Sequence, residues 1–327
     1  MRQDLFKLPR KCVLLVLCCA GALQTAHAAY PEKPVRWIIP GAAGGAADAV
    51  ARVVAAAVSA SWGQPIVIDN RPGATGTIAN DGTAKAAPDG YTLGEATMST
   101  YVMANHVLPR VPYKPKEDFI NIAKLCSSPY LLGVTKSLPV NSVAELVALA
   151  KARPDELNYG SSGNGSALHV VTELFRSSAG IKLTHVPYKS VPASEMDLIG
   201  GQIQMMVGNF STMATHVQSG KIRPLATTGP KRSPLLPNVP TMAEVGFPVA
   251  EVTTWIGVMG PAKLPPAIAA KIHDEFTAAV KNPKVIKQLA DIGCDADPTS
   301  MEAFDRLVNL ENEKWGAVIK KNNITAD

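Results

Sequence analysis

Clusters of basic residues, repeats and low-complexity tracts are all missing from this sequence. Residues 1–28 hold four of its 32 basic and one of its 27 acidic residues, so the remainder carries 28 basic against 26 acidic side chains. Nucleic-acid-binding proteins concentrate Lys and Arg in patches, so no nucleic acid partner is expected. Apolar residues make up 46% of the chain, which excludes an intrinsically disordered protein. No motif recurs at a fixed period, which excludes the repeat architectures.

Cysteine is also scarce. Of the five cysteines, Cys12, Cys18 and Cys19 lie near the N-terminus, which leaves only Cys126 and Cys294 in the rest of the chain. Two distant cysteines lack the CxxC spacing of a structural zinc site, and the histidines lack the HExxH spacing. We therefore expect no metal and no cofactor. In an oxidising compartment the two cysteines form either one disulfide or two buried thiols, and the sequence leaves both alternatives open.

The N-terminal residues have the pattern of an export signal. Basic residues at positions 2, 7, 10 and 11 precede a short apolar run at 13–23, and Ala-His-Ala follows at 26–28. This order is typical of a signal peptide, and the apolar run is too short to span a bilayer. The sequence predicts a signal peptide at 1–28, cleavage after Ala28 and a periplasmic protein.

From residue 30 onward one pattern recurs: a short apolar strand, a loop rich in Gly, Ser or Asn, and a helix. The first example is a strand at 35–39, a loop at 40–45 and a helix from 46, and a similar series begins again near 130. Such alternation predicts an α/β protein with mainly parallel sheets flanked by helices. The length suits two lobes. We assign 29–129 with 251–327 to lobe 1 and 130–250 to lobe 2.

No catalytic motif is convincing. The loop 160–166 and the following His169 suggest a serine nucleophile, but they do not fit the G-x-S-x-G pattern. Ser166 and His169 lie within one helical turn, and no acid nearby would orient the imidazole. The glycine-rich loops also lack the G-x-G-x-x-G and phosphate-loop patterns. His169 is either a neutral histidine packed in the first helical turn or a ligand contact.

Two glycine-rich loops instead predict an anion site made from backbone. The loops 41–45 and 160–166 each connect a strand to a helix, one in each predicted lobe. The first N–H groups of a helix have no partner within the helix and attract anions. Hydroxyl groups that can donate to a carboxylate follow the strands of both lobes: Thr97, Ser99, Thr100, Ser161, Ser162 and Ser166.

Two charged residues near these loops need separate interpretation. With Gly45 as the N-cap, Asp48 falls at the third helical position, where its carboxylate can reach back to the cap N–H. We interpret Asp48 as a loop organiser rather than as the partner of a ligand amine. Lys189 is either a counter-charge in the cleft or an ordinary solvated lysine.

Six motifs in order along the chain point to a known family. They are Tyr30-Pro-x-Lys-Pro-Val-Arg36, Pro40-x-x-x-Gly-Gly-x-x-Asp48, Asn70-Arg-Pro-Gly-Ala74, Pro88-Asp-Gly-Tyr-Thr-Leu93, Tyr159-Gly-Ser-Ser-Gly-Asn-Gly-Ser166 and His185-Val-Pro-Tyr-Lys189. With these motifs the chain resembles the Bug-type substrate-binding receptors of tripartite tricarboxylate transporters. The resemblance implies a two-lobed periplasmic-binding-protein fold with the ligand cleft between the lobes. It also implies a monomeric, non-enzymatic receptor that captures a small carboxylate for the membrane subunits of a transporter.

Carrying the family's motifs onto this sequence gives a set of candidate ligand-binding residues. They are Ala42, Ala43, Gly44, Gly45, Met98, Ser99, Thr100, Ser161, Ser162, Asn164, Gly165, Ser166, His169 and Asn209.

The chain departs from the family at two positions of the predicted cleft. Gly41 replaces a usual Phe, and Gly208 replaces a common acidic residue. Without that carboxylate a ligand amine has no obvious partner, so we predict a dicarboxylate or an aromatic carboxylate rather than an amino acid. Two other functions stay open at this point: a sensor that contacts a membrane kinase, and a secreted hydrolase that depends on Ser166.

Overall fold

A computed structural model describes residues 30–325, so the predicted signal peptide lies outside the described residues. From Lys33 onward the chain forms one compact unit. The strands are β1 Val35–Ile39, β2 Ile66–Asn70, β3 Thr92–Thr97, β4 Phe119–Thr135, β5 Asn158–Ser161, β6 Thr184–Pro187, β7 Met205–Asn209, β8 Ile222–Thr227, β9 Thr253–Pro261 and β10 Asp295–Ala296. The helices are α1 Ala46–Trp62, α2 Thr77–Ala84, α3 Ala104–Val107, α4 Val143–Ala152, α5 Ala167–Ala179, α6 Val191–Gly200, α7 Phe210–Gln218, α8 Pro266–Lys281, α9 Pro283–Asp291 and α10 Met301–Lys321.

Local sequence signals define the first strand–helix unit. β1 is almost wholly buried because strands β2 and β3 cover both of its edges and its side chains, apart from that of Arg36, are apolar. α1 begins after Gly45 and ends at Gly63, which adopts the left-handed conformation that suits a glycine C-cap. The predicted strand at 35–39 and the predicted helix start at 46 are both confirmed.

The strands form two sheets that share β4. The first sheet has the order β2-β1-β3-β9-β4, with β10 also on β4, and the second has the order β4-β7-β5-β6, with β8 also on β4. Within β4, residues 119–129 pair with β9 and residues 130–134 pair with β7. The strand therefore passes from one sheet to the other at Pro129 and Tyr130.

The α/β class is confirmed, although both sheets are mixed rather than mainly parallel. β1 runs parallel to β2 and β3, and β5 runs parallel to β6 and β7, whereas every pairing of β4 and β9 is antiparallel. The physical reason is that β4 carries the chain out of the first sheet and β9 carries it back. The lobe boundaries stay a prediction, and the division of the strands between the sheets supports them.

β4 begins at Phe119, well before residue 130, where the sequence pattern of strand, loop and helix begins again. Polar residues interrupt its apolar pattern, and two of them, Asn121 and Lys124, are nonetheless buried. Lys124 forms an ion pair with Asp297, and Asn121 donates a hydrogen bond to Asp305 at 2.9 Å. These partners lie far away in sequence, so the local pattern gave no indication of the burial.

A disulfide joins Cys126 of β4 to Cys294, with the two Cα atoms 5.7 Å apart. This settles the alternative that the sequence left open. Within residues 30–325, no helix combines the length and the apolar character needed to cross a bilayer. In the same part of the chain, no three His, Cys, Asp or Glu side chains come together as metal ligands would.

Candidate functional site

A cleft of about 430 Å³ opens where β4 passes between the two sheets. Its wall is formed by loops that follow strands of the first sheet and loops that follow strands of the second. Seven of the predicted ligand-binding residues line it: Ala42, Gly45, Ser99, Thr100, Ser162, Asn164 and Asn209. Seven others lie outside the wall in the described structure: Ala43, Gly44, Met98, Ser161, Gly165, Ser166 and His169. Half of the candidate residues therefore line the cleft, and the other half lie outside its wall.

The start of α1 presents backbone donors to the cleft. Gly45, the N-cap, is extended, and its N–H donates to the carbonyl of Ala42 at 3.1 Å. The first two helical residues, Ala46 and Ala47, both line the cleft. Their N–H groups have no acceptor among residues 30–325. This is the arrangement of an anion-binding helix start.

Asp48 supports this loop from the side away from the cleft wall. Its Oδ2 atom accepts hydrogen bonds from the Gly44 N–H and from Nε of Arg52, each at 2.9 Å. The sequence had predicted a bond to the cap residue itself, and the structure places the bond one residue earlier. Burial raises the pKa of Asp48, but the hydrogen bonds, above all the one from Arg52, outweigh burial and lower the pKa overall. Asp48 therefore has the geometry of a loop organiser.

A second buried acid, Glu95 on β3, was not singled out from the sequence. It is fully buried, and neither of its carboxyl oxygens has a hydrogen-bond partner among the described residues. Burial, and next the charge of Asp48, hold the pKa of Glu95 well above its usual range. Burial of Glu95 in the core therefore favours the neutral form of its carboxyl group.

The start of α5 is organised differently from the sequence-based expectation of several free N–H groups. Four N–H groups of this loop already have acceptors inside the protein. Gly163 donates to Ser161 Oγ at 3.1 Å, Gly165 to His169 Nδ1 at 3.2 Å, Ser166 to the Gly163 carbonyl at 3.2 Å, and Ala167 to Ser99 Oγ at 2.9 Å. The second loop therefore contributes to the cleft mainly through its side chains and carbonyl groups.

His169 and Ser166 do not form a catalytic pair. The hydroxyl of Ser166 is the N-cap of α5 and accepts a hydrogen bond from the backbone N–H of His169 at 3.3 Å. Nδ1 of His169 accepts from a backbone N–H, so this nitrogen carries no proton. At 2% exposure, and outside the cleft wall, His169 has the arrangement of a packed histidine. The alternative of a Ser166-dependent hydrolase has no geometric support.

A second histidine stabilises the same loop from beneath. The ring of His185 stacks on that of His169, with centroids 4.2 Å apart, and its Nε2 lies 2.7 Å from Ser161 Oγ. Burial, and next the neighbouring His169, lower the pKa of His185 to about 4, so the ring is neutral near pH 7. Ser161 is fully buried, so its hydroxyl positions the loop.

Two further helix starts line the cleft. Ser190 is the N-cap of α6 and Asn209 is the N-cap of α7, and Val191 and Ser211 of the two helices also contribute to the wall. Of these four residues, the sequence analysis had predicted only Asn209 as a ligand contact. Neither N-cap side chain, that of Ser190 or that of Asn209, makes a capping hydrogen bond. The signal that could have found them was the same strand, polar loop and helix pattern that identified α1. Lys189, just before α6, is the one charged residue in the cleft wall of residues 30–325.

A buried acid connects these two helices. Glu195 of α6 accepts a hydrogen bond from the Thr212 hydroxyl of α7, and its Oε2 lies 3.6 Å from Nε2 of His216. Burial raises the pKa of Glu195 to about 7, and the hydrogen bond from Thr212 opposes that shift. Burial also lowers the pKa of His216, and nearby Lys221 adds to this effect. The helix pair therefore contains an acid that titrates close to neutral pH.

The turn at 73–76 is another part of the cleft wall that the sequence analysis missed as a site. It follows Asn70-Arg71-Pro72, a run rich in turn formers, which was the available signal. It touches the second loop directly, because Thr75 Oγ1 donates to the Asn164 carbonyl at 2.7 Å.

Comparisons with known proteins identify the family and the fold. A family model described as "Tripartite tricarboxylate transporter family receptor" matches residues 50–324. The chain is similar to a solved structure described as "R. palustris Rpa4515 with adipate", with a TM-score of 0.88 and 36% identity over 90% of this chain and 99% of that one. It is also similar to periplasmic binding protein BugD, with a TM-score of 0.86 and 29% identity over 90% of this chain and 99% of BugD. For MatC from Rhodopseudomonas palustris with bound malate the TM-score is 0.84, at 30% identity over 89% of this chain and 100% of MatC. These superpositions confirm the predicted periplasmic-binding-protein fold.

Proposed function

The chain belongs to the tripartite tricarboxylate transporter receptor family, and from this premise we propose that it captures a small carboxylate in the cleft and delivers it to the membrane components of such a transporter. The family is one of solute-binding receptors, so the chain is a receptor and not an enzyme. We further propose that it acts in the periplasm as a monomer, after removal of residues 1–28.

The observation that carries this proposal is the convergence of the starts of α1, α6 and α7 on one cleft whose wall contains a single charged residue. A hydrogen bond to an ionised group contributes about 1.5–3 kcal/mol. A few such bonds, reduced by the entropy lost on binding, give roughly −8 kcal/mol and micromolar affinity. Backbone and hydroxyl donors are therefore sufficient to hold a carboxylate here without an arginine.

We propose that the ligand is a dicarboxylate or an aromatic carboxylate. The similar proteins solved with adipate and with malate support carboxylate binding. In this chain one carboxylate would bind the N–H groups of Ala46 and Ala47, with the hydroxyl of Ser99 beside them. Lys189 would attract a second carboxylate at the other side of the cleft. The apolar walls contributed by Val50, Leu168 and Ile256 suit the methylene or aromatic part between.

The test is calorimetric titration of the mature chain, residues 29–327, with adipate, malate, benzoate and aspartate. We expect at least one of the first three to bind with micromolar affinity. The uncharged dimethyl adipate is the matched control for adipate and should not bind, because it offers no anion to the helix starts. Binding of aspartate alone would contradict the proposed ligand class, and binding of the ester as tightly as the acid would contradict the anion site.

A further inference from the structure

One turn of the cleft wall has an unusual backbone. Gly73, Ala74, Thr75 and Gly76 all have positive φ angles, of 116°, 45°, 52° and 83°. Positive φ is ordinary for glycine but rare for other residues, and it is a genuine outlier for a β-branched residue such as Thr75. Outliers of this kind persist where the surrounding structure enforces them, and they concentrate at functional sites. Reversal of the chain direction alone therefore does not explain the conformation of this turn.

The turn is held by hydrogen bonds within itself and by close packing against Thr100. The Gly76 N–H donates to the Gly73 carbonyl, and the Thr77 hydroxyl donates to the Ala74 carbonyl, both at 2.9 Å. A Cβ atom at Gly76 would lie only 2.4 Å from Cγ2 of Thr100, so no larger residue fits there. The turn is thus anchored on one side, and this anchoring holds Thr75 at the cleft.

Thr75 makes a direct contact with the loop of the second sheet. Its Oγ1 donates to the Asn164 carbonyl at 2.7 Å. The preceding residue in that loop, Gly163, has a φ of 111°, and a Cβ there would lie 3.2 Å from Thr75 Oγ1. The two backbones therefore approach each other closely. One further bond crosses nearby, from the Ala167 N–H to Ser99 Oγ at 2.9 Å.

We propose that Thr75 is a positioning residue that holds the two sides of the cleft together through Asn164. The inference rests on the proposed receptor function, because a receptor of this fold must open and close around its ligand. The anchored, left-handed turn keeps the hydroxyl of Thr75 facing the second loop in the closed arrangement. Opening separates Thr75 from Asn164 and, in the same movement, Ser99 from Ala167. The closed population, and with it the apparent ligand affinity, then depends on this one hydroxyl.

The test compares three variants of the mature chain without ligand. Thr75→Val keeps the shape and the β-branching but removes the donor. Thr75→Ser keeps the donor. Thr172→Val is the matched control, because the Thr172 hydroxyl also donates to a backbone carbonyl, that of Leu168, but within α5 rather than across the cleft. The readout is hydrogen exchange of the Ala167 amide, resolved by NMR, since its acceptor Ser99 lies on the other side of the cleft.

We expect Thr75→Val to accelerate exchange at Ala167 about fivefold, the factor that corresponds to the loss of one ordinary hydrogen bond. Thr75→Ser should stay near the wild-type rate, and so should Thr172→Val. Unfolding temperatures, measured alongside, show that each variant is folded. Should Thr75→Val fold poorly, Thr75→Ala replaces it, because the neighbouring Ala74 already adopts a similar φ. Adipate and malate affinities, where the wild type binds them, should fall in Thr75→Val by no more than this factor, because the apparent affinity follows the closed fraction.

An unchanged Ala167 rate in folded Thr75→Val would overturn the proposal, and so would equal acceleration in Thr75→Val and Thr75→Ser. The exchange measurement needs no ligand, so its outcome is independent of whether any carboxylate binds. Failure of the receptor proposal and failure of this inference are therefore distinguishable.

Discussion

The start of α1 allows the most direct test of backbone recognition, because a single N–H group can be removed there without changing any charge. Ala46 is the first helical residue, a position where proline is well tolerated because its φ is suitable and the N–H is not used by the helix. The preceding Gly45 has φ −79° and ψ 171°, the extended conformation that proline requires of its neighbour. Ala46→Pro should therefore preserve the helix and delete one donor that faces the cleft.

The expected loss follows from the charge of the ligand. A hydrogen bond to an ionised group contributes about 1.5–3 kcal/mol. Since about 1.4 kcal/mol corresponds to a tenfold change in affinity, deleting the bond should weaken carboxylate binding roughly 10- to 150-fold. The free energy of unfolding should change by less than about 1 kcal/mol, because proline at this position removes no bond within the helix.

Titration calorimetry with the carboxylate that the wild type binds measures the effect. Met301→Pro is the matched control: Met301 is the first residue of α10, its N-cap Ser300 is also extended, and it lies outside the cleft wall. The control should bind like the wild type. If Ala46→Pro folds normally and binds within threefold of the wild type, backbone donors at α1 do not hold the ligand.

Three other perturbations test separate parts of the structure. Lys189→Met should weaken binding of a dicarboxylate more than binding of benzoate, because only the dicarboxylate has a second anion to pair with the lysine; equal losses in paired titrations would argue against that role. Replacing both Cys126 and Cys294 by Ser should lower the free energy of unfolding in urea by up to about 5 kcal/mol, since the disulfide spans 168 residues; an unchanged urea midpoint would contradict this. Glu195 has a pKa raised from near 4.5 to about 7 in the folded state, so its contribution to stability is complete below pH 4.5 and is lost as the pH rises to 7. Glu195→Gln should remove that decrease, worth up to about 3 kcal/mol, and parallel pH–stability curves for the two proteins would refute the assignment.

The sequence predicted the strand–loop–helix units well where local signals are strong. Gly45 and Gly63 flank α1, and the strand that precedes it is apolar apart from Arg36, so β1 and the start of α1 were predicted at the correct residues. The sequence could not show the features that depend on interaction partners distant in the chain. The burial of Lys124 depends on Asp297, which lies 173 residues away. A lysine in a local sequence pattern instead indicates a surface loop.

The same reasoning explains why only half of the candidate site lines the cleft. Motif matching treats all residues of a loop as equivalent, whereas the fold gives only residues 162–164 of this loop to the cleft wall. Ser162 and Asn164 line the wall, while Ser161 and Ser166 organise the loop. Which of two adjacent serines meets the ligand depends on the position of His185, and that residue belongs to another strand.

In the proposed receptor, Ser99 would take part in both ligand recognition and closure. A serine hydroxyl has one proton to donate and two lone pairs to accept with. Ser99 Oγ already accepts from the Ala167 N–H across the cleft, so its proton stays available to a carboxylate. A ligand bound there adds a hydrogen bond to the closed arrangement without displacing the one that crosses the cleft. An ionised acceptor polarises the hydroxyl and strengthens the bond that the hydroxyl oxygen accepts. We therefore expect ligand binding and closure to stabilise each other, and a ligand that does not contact Ser99 to lose part of both effects.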